Sequence, residues 1–248
     1  TARKKAENEL DIYMEDLRRS NAELEQFAYV ASHDLQEPLR KIRNFSDLLE
    51  SRTKGLLPPD AEKYLTPIVD GAMRMQTLVQ DLLTYSKVSR GELTVKKVNV
   101  QEIVDLVKNT LDTMITDSQA TVTIGTLPSI EANPTQIEQL LQNLIGNSLK
   151  YHGAQPPVID ISATEKLSHW EFAVRDNGIG LEPTYADQIF VIFQRLHSRA
   201  KYEGTGIGLA ICQKIMQRLG GRIWLNSQGD EGANFFIAIP HRQAKKID

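Results

Sequence analysis

Cysteine is almost missing: among 248 residues only Cys212 carries a thiol. Neither an intrachain disulfide framework nor a thiolate zinc site can be assembled, and a reducing compartment, the cytoplasm, is the expected setting. No apolar run approaches the roughly 18 residues that span a bilayer. The opening Thr1-Ala2-Arg3-Lys4-Lys5 leads into charged rather than apolar residues, so neither a membrane segment nor a signal peptide is expected. Basic charge is not in excess, with 29 Lys and Arg against 32 Asp and Glu and a formal net charge of -3. A nucleic-acid partner is therefore not expected. His152, His169, His197 and His241 show no metal-ligand spacing, and no internal repeat or low-complexity stretch is present. What remains is a chain with 41% hydrophobic residues, enough for a core and long enough for one large domain or two small ones.

The first sixty residues read as helix. Leu10, Leu17 and Leu24 recur every seven residues with Ala31 continuing the series, and Met14, Asn21 and Ala28 fall on the second seam of the same heptad. That pattern predicts a coiled-coil signal helix over residues 1–25, with Asn21 as a register-fixing polar residue. Being in phase from about residue 7, it is expected to continue upstream in a longer chain. Ile42, Phe45, Leu48 and Leu49 extend the apolar spacing until Gly55, Pro58 and Pro59 break it, with Asp60 a possible N-cap. A second helix fits residues 60–88, with Pro67 expected to kink it or limit its first turn. Two long helices and a short turn make an antiparallel hairpin, over residues 26–90, that buries its stripe poorly alone. A homodimeric four-helix bundle through residues 1–90 is the expected remedy.

Composition changes near Ser89-Arg90-Gly91. Residues 94–99 read as a strand, 101–117 as an amphipathic helix, 120–131 as strand and turn, and Pro134 opens a helix to about residue 152. Residues 159–163, 170–175, 222–227 and 234–240 alternate like strands. The spacing predicts a second domain over residues 91–242, α/β with a mixed or antiparallel sheet, and a polar tail over 243–248. Cys212 is expected to be a small buried residue, Trp170 and Trp224 to pack on the sheet, and Met73 and Met75 to fill the core or the bundle.

Four segments carry chemistry. Asp176-Asn177-Gly178-Ile179-Gly180 follows a strand; its carboxylate can accept from an exocyclic amine, and its glycines permit close backbone approach. Gly204-Thr205-Gly206-Ile207-Gly208-Leu209 opens a helix and leaves N–H groups for an anion, though it is neither a Walker motif nor a dinucleotide fingerprint. Asn143, Asn147, Lys150 and Tyr151 lie along the helix from Pro134, where amide oxygens suit a water-rich Mg²⁺ shell and the ammonium suits phosphate. Ser32-His33-Asp34-Leu35-Gln36-Glu37-Pro38-Leu39-Arg40 places an imidazole beside a carboxylate on the first helix, with Pro38 removing a backbone bond to residue 34. Each has a bland alternative, namely a strand-ending turn, a flexible turn, a solvated face and an exposed histidine.

In this order and spacing the four segments resemble a sensor histidine kinase transmitter, over about residues 20–240. Ser32 to Arg40 resembles the H box, Asn143 to Tyr151 the N box, Asp176 to Gly180 and Gly204 to Leu209 the two glycine boxes, and Ile189 to Leu196 the F box. Phe27 to Asp34 is most similar to kinases attached to soluble light- or ligand-sensing modules, including bacterial phytochromes. The resemblance implies a dimeric helical hairpin joined to a Bergerat-type α/β sandwich shared with the Hsp90, gyrase and MutL ATPases. It implies an ATP-dependent protein-histidine kinase in two-component signalling, with ATP and Mg²⁺, a response-regulator receiver domain as partner and a sensor domain upstream. His33 would be the phosphoacceptor through Nε2, and Asp34 would hold the other ring nitrogen. Asn147 would coordinate Mg²⁺, Asn143 would help hold the metal–phosphate group, Lys150 would pair with phosphate, and Tyr151 would line the nucleotide site. Asp176 would read the adenine amino group, with room from Gly178 and Gly180. Gly204, Thr205, Gly206, Gly208 and Leu209 would present backbone to phosphate. Arg195 would be a cation near the γ-phosphate, and residues 196–205, with Arg199 and Lys201, a mobile lid.

One departure matters. Many members carry Thr or Asn four residues after the histidine to position water for dephosphorylation; here Glu37 stands there, so strong phosphatase activity is not expected. The competing readings are an ATPase of the same nucleotide fold that uses water as acceptor, and a nonenzymatic dimerisation and docking module.

Overall fold

In the computed structural model the described residues are 2–53, 56, 59–90, 94–196, 202, 204–227 and 232–241. The heptad side chains of Leu10, Leu17, Asn21 and Leu24, the lid residues Arg199 and Lys201, and the tail 243–248 lie outside what is described. The chain divides into two units, Thr1–Arg90 and Gly91–Asp248.

The first unit is a helical hairpin of α1 (Ala2–Thr53) and α2 (Pro59–Arg90). Proline at the first position of α2 sacrifices an N–H that would be unpaired anyway, so Asp60 falls inside the first turn instead of capping it. The helix runs on through Pro67, and α1 likewise through Pro38. The helices are antiparallel. Gln36 Nε2 donates to Gln80 Oε1 at 2.9 Å, and further along α1 Arg43 Nη1 donates to Gln76 Oε1, nearer the start of α2, also at 2.9 Å. Leu39, Val79 and Leu83 form a buried cluster with Tyr29 against it, and Val69 and Ala72 extend the seam along α2. A second apolar stripe stays exposed: Leu35, Ile42 and Leu49 on α1 with Phe45 between them, and Ile68 and Met75 on α2. Met73, expected as filler, is exposed as well.

The second unit is a sandwich of one helical layer on one sheet. It contains β1 (Lys96–Asn99), α3 (Val100–Thr110), α4 (Asp112–Asp117), β2 (Thr121–Ile124), β3 (Ser129–Ala132) and α5 (Pro134–Lys150). There follow β4 (Val158–Glu165), β5 (His169–Asp176), α6 (Gly208–Arg218), β6 (Arg222–Ser227) and β7 (Ala233–Pro240). The five-stranded sheet has the order β2-β4-β5-β7-β6, with β2 parallel to β4 and the other pairs antiparallel; β1 and β3 form a separate antiparallel pair. The expected single helix over 101–117 is divided at Leu111. Thr110 Oγ1 donates back to the Leu106 carbonyl at 3.0 Å, a competing bond at the end of α3.

Period-two alternation sets the core. Phe172 and Val174 on β5 share a face with Ile159 and Ile161 on β4, Phe235 and Ile237 on β7, and Ile223 and Leu225 on β6. All of them are buried, as are Leu140, Leu144 and Ile145 of α5 and Ile211, Ile215 and Met216 of α6. Asp176 is the next residue of that inward series, so strand geometry carries a carboxylate into the layer between sheet and helix. Trp224 faces the other way and stacks on Phe236 with centroids 5.3 Å apart. Among the described residues no helix is long and apolar enough to cross a membrane.

Cys212 is fully buried, and burial pushes its thiol up to about 12, with the Asn143 amide beside it pulling slightly the other way. A raised folded-state value means that the thiol's contribution to stability is complete below its ordinary value near 9 and is lost as pH rises toward 12. The stability gap between the parent chain and Cys212→Ala is therefore expected to narrow between pH 9 and 12 in urea melts. A gap that stays constant over that interval would contradict the burial argument.

Candidate functional site

Asp176 is 8% exposed and its carboxylate accepts hydrogen bonds from three directions. Oδ1 accepts from the Gly178 N–H at 2.9 Å and the Ala233 N–H at 3.0 Å, and Oδ2 accepts from Ser148 Oγ at 2.8 Å. The loop after it is fixed by backbone and by Asn177. Ile179 N–H donates to the Tyr151 carbonyl at 3.0 Å, Asn177 Oδ1 accepts from Val158 N–H at 2.7 Å, and Asn177 Nδ2 donates to the Pro156 carbonyl at 3.1 Å. A Cβ on Gly178 would lie 2.5 Å from the Tyr151 carbonyl oxygen, so only glycine fits that approach. Across the sheet, Gly232 has φ +86°, and a Cβ there would lie 2.0 Å from the Asp176 carbonyl oxygen. Ser227 Oγ donates to the Gly232 carbonyl at 2.8 Å and accepts from Leu181 N–H at 2.8 Å, which ties the β6–β7 connection to the loop.

Helix α5 supplies the second wall. Asn133 caps it by accepting from Gln136 N–H at 3.2 Å, with Pro134 at its first position. Asn143 and Asn147 are half-buried one turn apart. Asn143 Oδ1 is 3.0 Å from where a Cβ on Gly208 would sit, and its amide also lies beside the buried Cys212 thiol. Lys150 Nζ donates to Tyr151 Oη at 2.9 Å, lies 4.4 Å from that ring's centroid, and would be 2.7 Å from a Cβ on Gly204. The structure thus brings the ammonium of α5 to the glycine-rich segment that opens α6. There Gly204 and Gly206 have φ +141° and +77°, a conformation side chains resist. Thr205 Oγ1 accepts from Ile207 N–H at 3.4 Å, and Gly208 and Leu209 begin α6 without a side-chain cap. Its first-turn N–H groups therefore remain available to an anion. Gly180 is buried at φ +60°.

Arg195 is engaged by backbone carbonyls. Nη1 donates to the Gly204 carbonyl at 2.6 Å and Nη2 to the Tyr202 carbonyl at 2.5 Å, so the guanidinium braces the segment before α6. The Tyr202 ring lies 4.9 Å from that of Tyr151, and its hydroxyl donates to the His152 carbonyl at 3.3 Å. Ser148, Asn177, Tyr202, Ser227 and Gly232 are the site residues that spacing did not single out. Only Asn177 and Ser148 fell within a quoted motif, and neither had been given a role.

On α1 the side chains of His33 and Asp34 are 70% and 74% exposed, with His33 Nδ1 3.2 Å from Asp34 Oδ1. With the proton on Nδ1 the ring donates to Asp34 and leaves the Nε2 lone pair facing solvent. Glu37 Oε1 lies 2.6 Å from Lys41 Nζ. The hydrogen bond from Lys41, with its charge, holds the Glu37 carboxyl below the ordinary carboxylate value.

Residues 23–91 match the family described as His Kinase A (phospho-acceptor) domain, and residues 132–243 match Histidine kinase-, DNA gyrase B-, and HSP90-like ATPase. The chain belongs to the histidine kinase family. Cyanobacterial phytochrome A of Nostoc sp. is 48% identical over 233 residues, which are 94% of this chain and 30% of that protein. The chain therefore spans under a third of that relative's length. Full-length ShkA in complex with AMPPNP aligns at TM-score 0.70 and 24% identity, over 88% of this chain and 46% of that one. Histidine kinase ThkA in complex with the response regulator protein TrrA aligns at TM-score 0.64 and 22% identity, over 95% of this chain and 68% of that one. At those identities the structural likeness speaks to fold.

Two glycines test the packing around Asp176. Gly232→Ala places a Cβ against the Asp176 carbonyl at a positive φ and is expected to cost about 2 kcal/mol or more. Gly146→Ala, inside α5 with nothing within 4 Å of the added Cβ, is expected to be neutral or to stabilise by up to about 1 kcal/mol. Thermal melts of both variants decide it; equal behaviour would contradict the close approach.

Proposed function

We propose that the chain is the transmitter core of a sensor histidine kinase: ATP with Mg²⁺, bound over residues 91–242, phosphorylates His33, and the phosphoryl group passes to an aspartate of a response-regulator receiver domain. The observation that carries this reading is the exposed His33–Asp34 pair, with Nδ1 at hydrogen-bond distance from the carboxylate and Nε2 free. It stands on a phosphoacceptor-domain match that precedes an ATPase-type domain in one chain.

The Nε2 lone pair forms a bond to the γ-phosphorus as the bond from that phosphorus to the bridging oxygen of ADP breaks. The Nδ1 proton passes through the Asp34 carboxylate to solvent, which leaves the phosphorylated ring uncharged. Such transfers draw most of their acceleration from positioning and charge neutralisation. Asp176 takes the adenine amino group, and Gly178 and Gly180 clear space for the base beside Tyr151. Lys150 and the backbone of Gly204, Thr205, Gly206, Gly208 and Leu209 take the phosphates. Arg195, with two of its five N–H groups engaged, has three left for a phosphate. The donors here fit a magnesium ion that keeps waters and phosphate oxygens: Asn147 would hold it, Asn143 would steady the group, and the ion would neutralise phosphate charge.

In this reading residues 1–25 are the signal helix, 26–90 the dimerisation and phosphoacceptor domain, 91–242 the catalytic domain and 243–248 a tail. Two copies cover the exposed stripe of Leu35, Ile42, Phe45, Leu49, Ile68 and Met75 in a four-helix bundle. The complex of ThkA with a response regulator supports a receiver domain as partner, and the short coverage of the phytochrome relative supports a sensor upstream. The cytoplasm, reducing and supplied with ATP, is where we place this chemistry. Glu37, occupied by Lys41, is poorly disposed to orient a water, so phosphatase activity is expected to be weak.

Incubation with γ-labelled ATP and Mg²⁺ tests the reading. Label on the protein that is acid-labile, alkali-stable and lost in His33→Gln is expected. Steady phosphate release with an unlabelled protein would instead favour a water-using ATPase. Asp34→Asn is expected to slow labelling by about a hundredfold while leaving ADP affinity unchanged, measured by quench-flow and calorimetry. Equal rates would remove Asp34 from the mechanism.

A further inference from the structure

We infer that Ser148 is a specificity-determining residue for the base. Its hydroxyl occupies one acceptor position of Asp176 and leaves a single one, which an amino group can fill. This rests on the reading of Asp176 as the adenine acceptor and deepens it. Ser148 is 2% exposed on α5, and its one proton has two acceptors in reach: the Leu144 carbonyl at 3.2 Å and Asp176 Oδ2 at 2.8 Å. The shorter bond, to a carboxylate, is the stronger. A carboxylate offers about four lone-pair positions. The Gly178 and Ala233 N–H groups take both of those on Oδ1, and Ser148 takes one on Oδ2. One remains.

A purine with a 6-amino group supplies the donor that this last position needs. A 6-oxo purine sets oxygen against oxygen there, and its ring N1–H points beside that position. With the Ser148 hydroxyl in place, the neighbouring lone pair of Oδ2 is closed to that N1–H. Removing the hydroxyl opens it, and a small slide of the base then lets N1–H donate. The two backbone donors on Oδ1 stay, so the carboxylate keeps its place while its selectivity falls. Spacing alone gives no hint of this, because Ser148 and Asp176 meet only through the packing of α5 on β5.

The test is calorimetric binding of ADP and inosine diphosphate, which share their phosphates and differ at the base, to the whole chain with Mg²⁺. The parent chain is expected to prefer ADP by at least about a hundredfold, and Ser148→Ala to shrink that ratio by about tenfold. Ser148→Cys, which keeps the shape with a weak donor, is expected to shrink it similarly. Ser148→Thr, which keeps the hydroxyl, is expected to preserve it. An unchanged ratio in Ser148→Ala and Ser148→Cys, or an equal loss of both affinities, overturns the role of Ser148 and leaves Asp176 standing. A parent chain that binds both nucleotides equally overturns the reading of Asp176 itself.

Discussion

One buried carboxylate organises the second unit. Asp176 ends β5, yet its oxygens collect a hydroxyl from α5, an N–H from its own loop and an N–H from the start of β7. An unpaired carboxylate in that position would be costly. Charge-assisted bonds to it contribute about 1.5–3 kcal/mol each. Segments far apart in the chain are thereby held at one point, and the glycines around it follow as a consequence. Gly178 passes under the Tyr151 carbonyl and Gly232 under the carbonyl of Asp176 itself. The constraint that fixes the loop also leaves the carboxylate with its one unfilled acceptor position.

The phosphoacceptor pair is built on the opposite principle. His33 and Asp34 stand largely exposed on a helix that runs unbroken from Ala2 to Thr53. In the proposed reaction its competence comes from a neighbour that selects the ring tautomer. Close below it, Leu39, Val79, Leu83 and Tyr29 pack the hairpin, so the pair rides on a firm seam. The exposed stripe on the far side of that seam is what a second copy would cover.

Much of this was legible in the residues, for physical reasons. The helices declare themselves by apolar spacing and, for α5, by Pro134 at its first position; the sheet declares itself by alternation. The glycine-rich segments and the His33–Asp34 pair lie within short stretches, where local sequence is enough. Less was legible where the determinant is long-range. The pairing of β1 with β3 outside the main sheet is long-range, and the division of the 101–117 helix at Leu111 has no glycine or proline to announce it. Ser148 reads as one more small residue of α5, and Gly232 as one more turn glycine, until β5 and β7 are set side by side. Arg195 carries the right charge for phosphate, but its bonds to the Gly204 and Tyr202 carbonyls could not be read from spacing.

The central claim is that an adenine base docks on the remaining acceptor of Asp176. A crystal structure of the chain with ADP and Mg²⁺ tests it most directly. The account predicts the exocyclic amino nitrogen about 2.7–3.2 Å from Asp176 Oδ2, with the Ser148 hydroxyl still bonded to that oxygen. A base bound elsewhere, or one that displaces Ser148 from the carboxylate, would contradict it.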